Sequence, residues 1–81
     1  MDTVTQKAFI ADSRDSINYY ARSIGEWRQM IAREKDEKIQ QWFKYFMDVE
    51  ETYLELESER LEKLRAELTD YEREQRQLLA V

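Results

Sequence analysis

Residues 39–79 read IQQWFKYFMDVEETYLELESERLEKLRAELTDYEREQRQLL. At about 100° per residue, Ile39, Trp42, Phe43, Phe46, Val49, Tyr53, Leu54, Leu56, Leu61, Leu64, Leu68, Tyr71, Leu78 and Leu79 gather on one broad side. Asp48, Glu51, Glu55, Glu59 and Glu62 take the opposite side of the middle section. Recurrence every three or four residues marks an amphipathic α-helix, whereas a strand would alternate every second residue. The remainder of the chain must supply something for this stripe to pack against.

Immediately upstream the stripe fails. From Ala32 to Lys38 every stripe position is charged, Asp36 is placed to cap a new helix, and Glu37 favours its positive end. This predicts a turn within residues 33–38. The competing reading is one continuous helix, because no glycine ends the first segment and the stripes on either side differ by only about 50° in phase. A single helix of that length would require an intermolecular coiled coil along it.

Before the turn, Phe9, Ile10, Ser13, Ile17, Tyr20, Ala21, Ile24, Trp27 and Ile31 keep helical phase. They predict a first amphipathic helix over residues 4–33. Thr3-Val4-Thr5-Gln6 has the form of a capping box, with a threonine hydroxyl accepting from an amide and Gln6 reaching back. Asp12, Ser13, Asp15 and Ser16 weaken the middle, so a start near Ser13 or Asp15 is the alternative. Gly25, the single glycine, lies off the stripe and costs about 1 kcal/mol relative to alanine.

The second helix, residues 37–79, divides into two halves. In the first, Trp42, Phe43, Tyr45 and Phe46 nearly encircle the axis, so more than one neighbour must cover them. In the second, Leu61, Leu64, Leu68, Tyr71, Gln75 and Leu78 recur in steps of three and four, making residues 61–79 a coiled-coil extension. Glu57 and Arg60 interrupt the stripe between the halves and can pair with each other or across an interface. Ser58 could cap a third helix, giving a three-helix chain broken near residues 57–58.

The fold class is therefore all-α: a long helical hairpin forming one domain over residues 1–81. The expected assembly is an antiparallel coiled-coil or four-helix-bundle dimer, because the second helix outruns the first.

Composition narrows the function classes. The 81 residues are 42% apolar and 38% charged, too apolar and aromatic for intrinsic disorder. With no cysteine and no histidine there is no thiolate or imidazole to ligate a metal or serve as nucleophile or base. No cofactor is expected. Without proline, and with one glycine, phosphate-cradling loops are hard to build. Apolar runs fall short of the roughly 20 residues of a membrane span, and the start lacks a secretory signal's pattern, so a cytoplasmic protein is expected. The net charge is −5, and residues 48–62 hold seven acids against one base, Arg60. A basic footprint for nucleic acid is absent; a protein partner with a basic surface fits better.

Two sets of candidate functional residues emerge. Tyr19, Phe43 and Tyr45 sit on the flanks of the aromatic belt and are expected at a partner surface, while Trp27, Trp42 and Phe46 are expected inside the hairpin. Asp48, Glu51, Glu55, Glu59 and Glu62 occupy an arc of about 80° and form either a partner-binding anionic face or an ordinary solvated one. Glu57, Arg60, Leu61, Leu64, Leu68, Tyr71 and Leu78 are expected to form the oligomerisation strip, with the two charges fixing register. Serines and lysines stand without an activating neighbour, so no enzymatic activity is expected. The favoured function is a non-enzymatic protein–protein interaction module acting as adaptor, assembly factor or inhibitor. The alternative is an acidic decoy that occupies a basic nucleic-acid-binding groove.

Overall fold

The computed structural model describes residues 2–80. Its two helices, α1 (Thr3–Arg33) and α2 (Glu37–Leu79), run antiparallel, and no strand occurs among the described residues. The molecule measures 68 × 16 × 14 Å. At 1.5 Å per residue the 43 residues of α2 account for nearly all of that length.

The turn needs neither glycine nor proline, because carboxylates do the capping. Glu34 closes α1 in an extended conformation, its amide donating to the Met30 carbonyl at 3.0 Å. Its Oε1 accepts from the Lys35 and Asp36 amides, both at 3.1 Å. Asp36, also extended, opens α2 by accepting from the Lys38 and Ile39 amides at 2.9 and 3.3 Å. Gln40 reaches back to the Ile31 carbonyl at 3.3 Å and to that of Glu34. Free amides and carbonyls at both helix ends thus find partners, which is what a tight helix-to-helix reversal requires. The chain is therefore neither one continuous helix nor three. At the proposed second break, Ser58 Oγ donates to the Leu54 carbonyl at 2.8 Å and α2 continues through it.

The start of α1 differs from the sequence expectation. The cap is Asp2, whose Oδ1 accepts from the Thr5 amide at 2.7 Å. That bond holds the Asp2 carboxyl below its ordinary pKa, so its contribution is present above the ordinary value and lost as pH falls through the lowered one. Gln6 does not reach back to close a capping box. It is buried, and its Nε2 donates across the hairpin to the Leu64 carbonyl at 3.2 Å and to Glu67 Oε2 at 3.1 Å. Asp12 to Ser16 continue the helix without a break.

Facing residues lie at nearly equal distances either side of the turn: Trp27 meets Phe43, Tyr20 meets Tyr53, and Gln6 meets Leu64. The seam on α1 is Gln6, Ile10, Ser13, Ile17, Tyr20, Ile24, Trp27 and Ile31, all buried or half-buried in alternating steps of four and three. On α2 it is Phe43, Met47, Glu50, Leu54, Glu57, Leu61, Leu64 and Leu68. Two helices alone bury only a narrow ribbon, so the fully enclosed apolar residues are few: Ile10, Ile24 and Leu61. Because α1 has 31 residues against 43, the last turns of α2, from about Tyr71 onward, stand clear of it.

Two stability predictions arise from the seam and its flank. Ser13 is wholly buried and its hydroxyl has no hydrogen-bond partner. Ser13→Ala removes that unsatisfied group and improves helix propensity, so the hairpin should gain about 1 kcal/mol. A Cβ added at Gly25 meets nothing within 4 Å. Gly25→Ala should likewise stabilise by about 1 kcal/mol. In a chain this size each gain is a rise of roughly 4–8 °C in Tm, read from thermal melts at one fixed protein concentration.

Candidate interaction surface

Moving back one residue from each seam position turns about 100° round a helix. On α2 this second stripe is Ile39, Trp42, Phe46, Val49, Tyr53 and Leu56, again in steps of three and four. Trp42 is 62% exposed and Leu56 55%, and Tyr45 beside them is 60% exposed. On α1 the same shift gives Thr5, Phe9, Asp12, Ser16, Tyr19, Ser23, Glu26 and Met30; Tyr19 and Met30 are its exposed large apolar residues, and Asp12 and Glu26 are exposed carboxylates. Since the helices are antiparallel and both right-handed, the two shifted stripes emerge on the same face of the hairpin.

Aromatic rings tie this face together. Trp27 stacks on Phe46 at 5.6 Å between centroids, and Phe46 in turn on Trp42 at 6.1 Å. Tyr45 meets Phe46 edge-on at 5.7 Å. Tyr20 stacks on Tyr53 at 5.8 Å, and Tyr19 meets Tyr20 edge-on at 5.5 Å. Such contacts fix the rings without covering them, leaving a pre-organised apolar surface. A shallow, open depression lined by Lys38, Gln41, Trp42 and Tyr45 lies on α2 alone.

The opposite face and the outer edge of α2 carry the carboxylate row. Asp48, Glu55, Glu59 and Glu62 are exposed, and Glu51 is half-exposed with its Oε1 3.7 Å from Arg28 Nη2. One residue forward from the α1 seam lie Lys7, Arg14 and Arg28, so the carboxylate row runs alongside basic residues of the same chain. Among the described residues no group of three acidic side chains converges to hold a metal ion. No helix among them is long and apolar enough to cross a membrane.

Placement of the sequence-picked residues is mixed. Tyr19 and Tyr45 are exposed on the aromatic face. Phe43 instead faces inward, 5.5 Å from Trp27, and Trp42 takes the outward position that was expected of Phe43. Glu57 and Arg60 pair with each other within α2 at 3.6 Å. Leu61 is buried, and Leu64 and Leu68 are half-buried along the seam with α1, which shelters more of the leucine strip than its length suggested. Tyr71 and Leu78, with Leu79, are the part of that strip left exposed, Leu78 by 70%. The stripe from Ile39 to Leu56 was not separated from the seam in the sequence reading. Its signal was the encircling of the helix by aromatic residues, which two heptad stripes one residue apart produce. Comparison with family models, with curated proteins and with solved structures found no match.

Proposed function

We propose that this chain is a non-enzymatic protein-interaction module that self-associates through the apolar face of its hairpin. The observation that carries the reading is the apolar stripe Ile39–Leu56, exposed at every position except the half-buried Val49, with Tyr45 and Tyr19 at its edges. An isolated apolar side chain on a surface is ordinary, but a contiguous row rich in tryptophan, tyrosine and phenylalanine is the composition of an interface centre. The thinness of the hairpin's own core supports the same reading, since a shared core is the usual remedy for a chain this small. A cytoplasmic setting belongs to the same proposal. The acidic-decoy reading has less support, because Arg28 stands within reach of Glu51 inside the row.

Sedimentation equilibrium at micromolar concentrations tests the reading. The expected species has twice the mass of the 9.9 kDa chain, with a melting temperature that rises with protein concentration. A monomer with concentration-independent melting would refute self-association.

A further inference from the structure

Resting on that reading, we propose that the occupant of the apolar face is a second copy of this chain, laid antiparallel, α2 on α2 and α1 on α1, about a two-fold axis passing beside Met47 and Asp48. Two stripes about 100° apart are what a helix needs when it has two neighbours in a four-helix bundle. The seam with α1 uses one of them, and the other is unpartnered.

The stripe is centred on residues 47–48. Antiparallel pairing about that point sets Ile39 against the partner's Leu56, Trp42 against the partner's Tyr53, and Phe46 against the partner's Val49. Each apolar position then meets another. The exposed pair on α1 obeys the same centre. Tyr19 and Met30 lie equally far from the Ile24–Gly25 level, and that level faces residues 47–48 across the seam. One two-fold axis therefore sets Tyr19 against the partner's Met30 while it centres the α2 stripe, an agreement that neither helix imposes on the other.

Charge complementarity selects this orientation over its rivals. Lys38 and Glu59 are exposed on the same outer flank of the stripe, with Tyr45 and Thr52 between them, and their levels across the axis differ by about 3 Å, within reach of two long side chains. Antiparallel pairing brings Lys38 beside the partner's Glu59 twice, once at each end. It also brings Arg60, which follows Leu56 on the stripe, level with the acidic turn at Glu34, Asp36 and Glu37 of the partner subunit. Parallel pairing would instead set Arg60 on Arg60 and Lys38 on Lys38. Seating α2 on the partner's α1 would lay Phe46 and Val49 against Glu26 and Ser23, setting a carboxylate on the apolar centre of α2, whereas pairing like helices sets Glu26 against the partner's Ser23. The exposed apolar area also suffices. Aromatic side chains of about 150–250 Å² each, half exposed along the row, offer several hundred Å² per copy, the order of a standard interface.

The test is a charge exchange read by sedimentation equilibrium, with far-UV circular dichroism confirming that each variant keeps its helices. Lys38→Glu and Glu59→Lys should each weaken the homodimer roughly ten-fold. An equimolar mixture of the two should associate like the wild type, because every Glu–Lys pair is restored in the mixed dimer. If both single variants dimerise as tightly as the wild type, or the mixture stays as weak as its components, the antiparallel geometry is overturned while self-association stands. If the wild type is itself a monomer, the self-association reading fails as well, and another protein occupies the face.

Discussion

Substituting Trp42 and Leu56 together by glutamate is expected to leave a folded hairpin that no longer self-associates at any practical concentration. Trp42 is 62% exposed and its intrachain ring contact is Phe46 at 6.1 Å, so the hairpin loses little. In an interface the same residue is the type that dominates binding: tryptophan at the centre of a patch commonly costs 2 kcal/mol or more on truncation. Leu56 lies toward the far end of the stripe, so the two changes place carboxylates in both halves of the face. In the antiparallel arrangement each dimer would bury four of them, and an unpaired charge in an apolar interface is strongly unfavourable. Dissociation constants should rise by at least about a hundred-fold. The measurement is sedimentation velocity from micromolar to millimolar concentration, beside far-UV circular dichroism to verify unchanged helix content. Retention of the wild-type association constant would show that the stripe is not the binding surface.

Ile24→Ala is expected to act on the other side of the same helices. Ile24 is 5% exposed and is the most enclosed apolar side chain of the chain's described part. Removing a buried isoleucine down to alanine costs roughly 2–5 kcal/mol, through lost burial and the cavity left behind. Small domains hold about 5–15 kcal/mol in total, and one with a single narrow seam belongs at the low end. A fall in Tm of at least about 10 °C should follow, with loss of a steep transition at low concentration. In the proposed dimer association and folding would be linked, so the loss should be partly recovered as concentration rises. A melt that shifts by only a degree or two would mean that Ile24 is not part of the cooperative core.

The two variants together separate what was legible in the sequence from what was not. The hairpin was legible because its signals are local. Helical periodicity on both sides, the charged interval from Ala32 to Lys38 and a cap at Asp36 all act within a few residues. The means of making the turn was less so, since Glu34 and Gln40 satisfy its backbone groups in ways that no glycine or proline announces. The division of the aromatic residues was not legible. Phe43 and Trp42 are neighbours in sequence and both fall within one broad apolar arc; which of them turns inward depends on where α1 lies. The reach of α1 along α2 had the same character. Gln6 looked like a local cap, but it bonds to Leu64 and Glu67, more than fifty residues away, and so carries α1 far enough to cover Leu61 and Leu64.

The free end of α2 has a consequence of its own. A helix of nine residues is too short to persist alone in water, so the segment from Tyr71 to Leu79 keeps its shape by growing out of the packed portion. In the antiparallel pair these two stalks would point away from each other, each tip about 47 Å from the dyad at 1.5 Å per residue. Leu78 and Leu79 of the two copies would then lie on opposite sides of the dyad, roughly 95 Å apart along the helix axes. The proposed pair would thus act as a spacer, holding its two exposed leucine sites apart at a length set by counting helical turns.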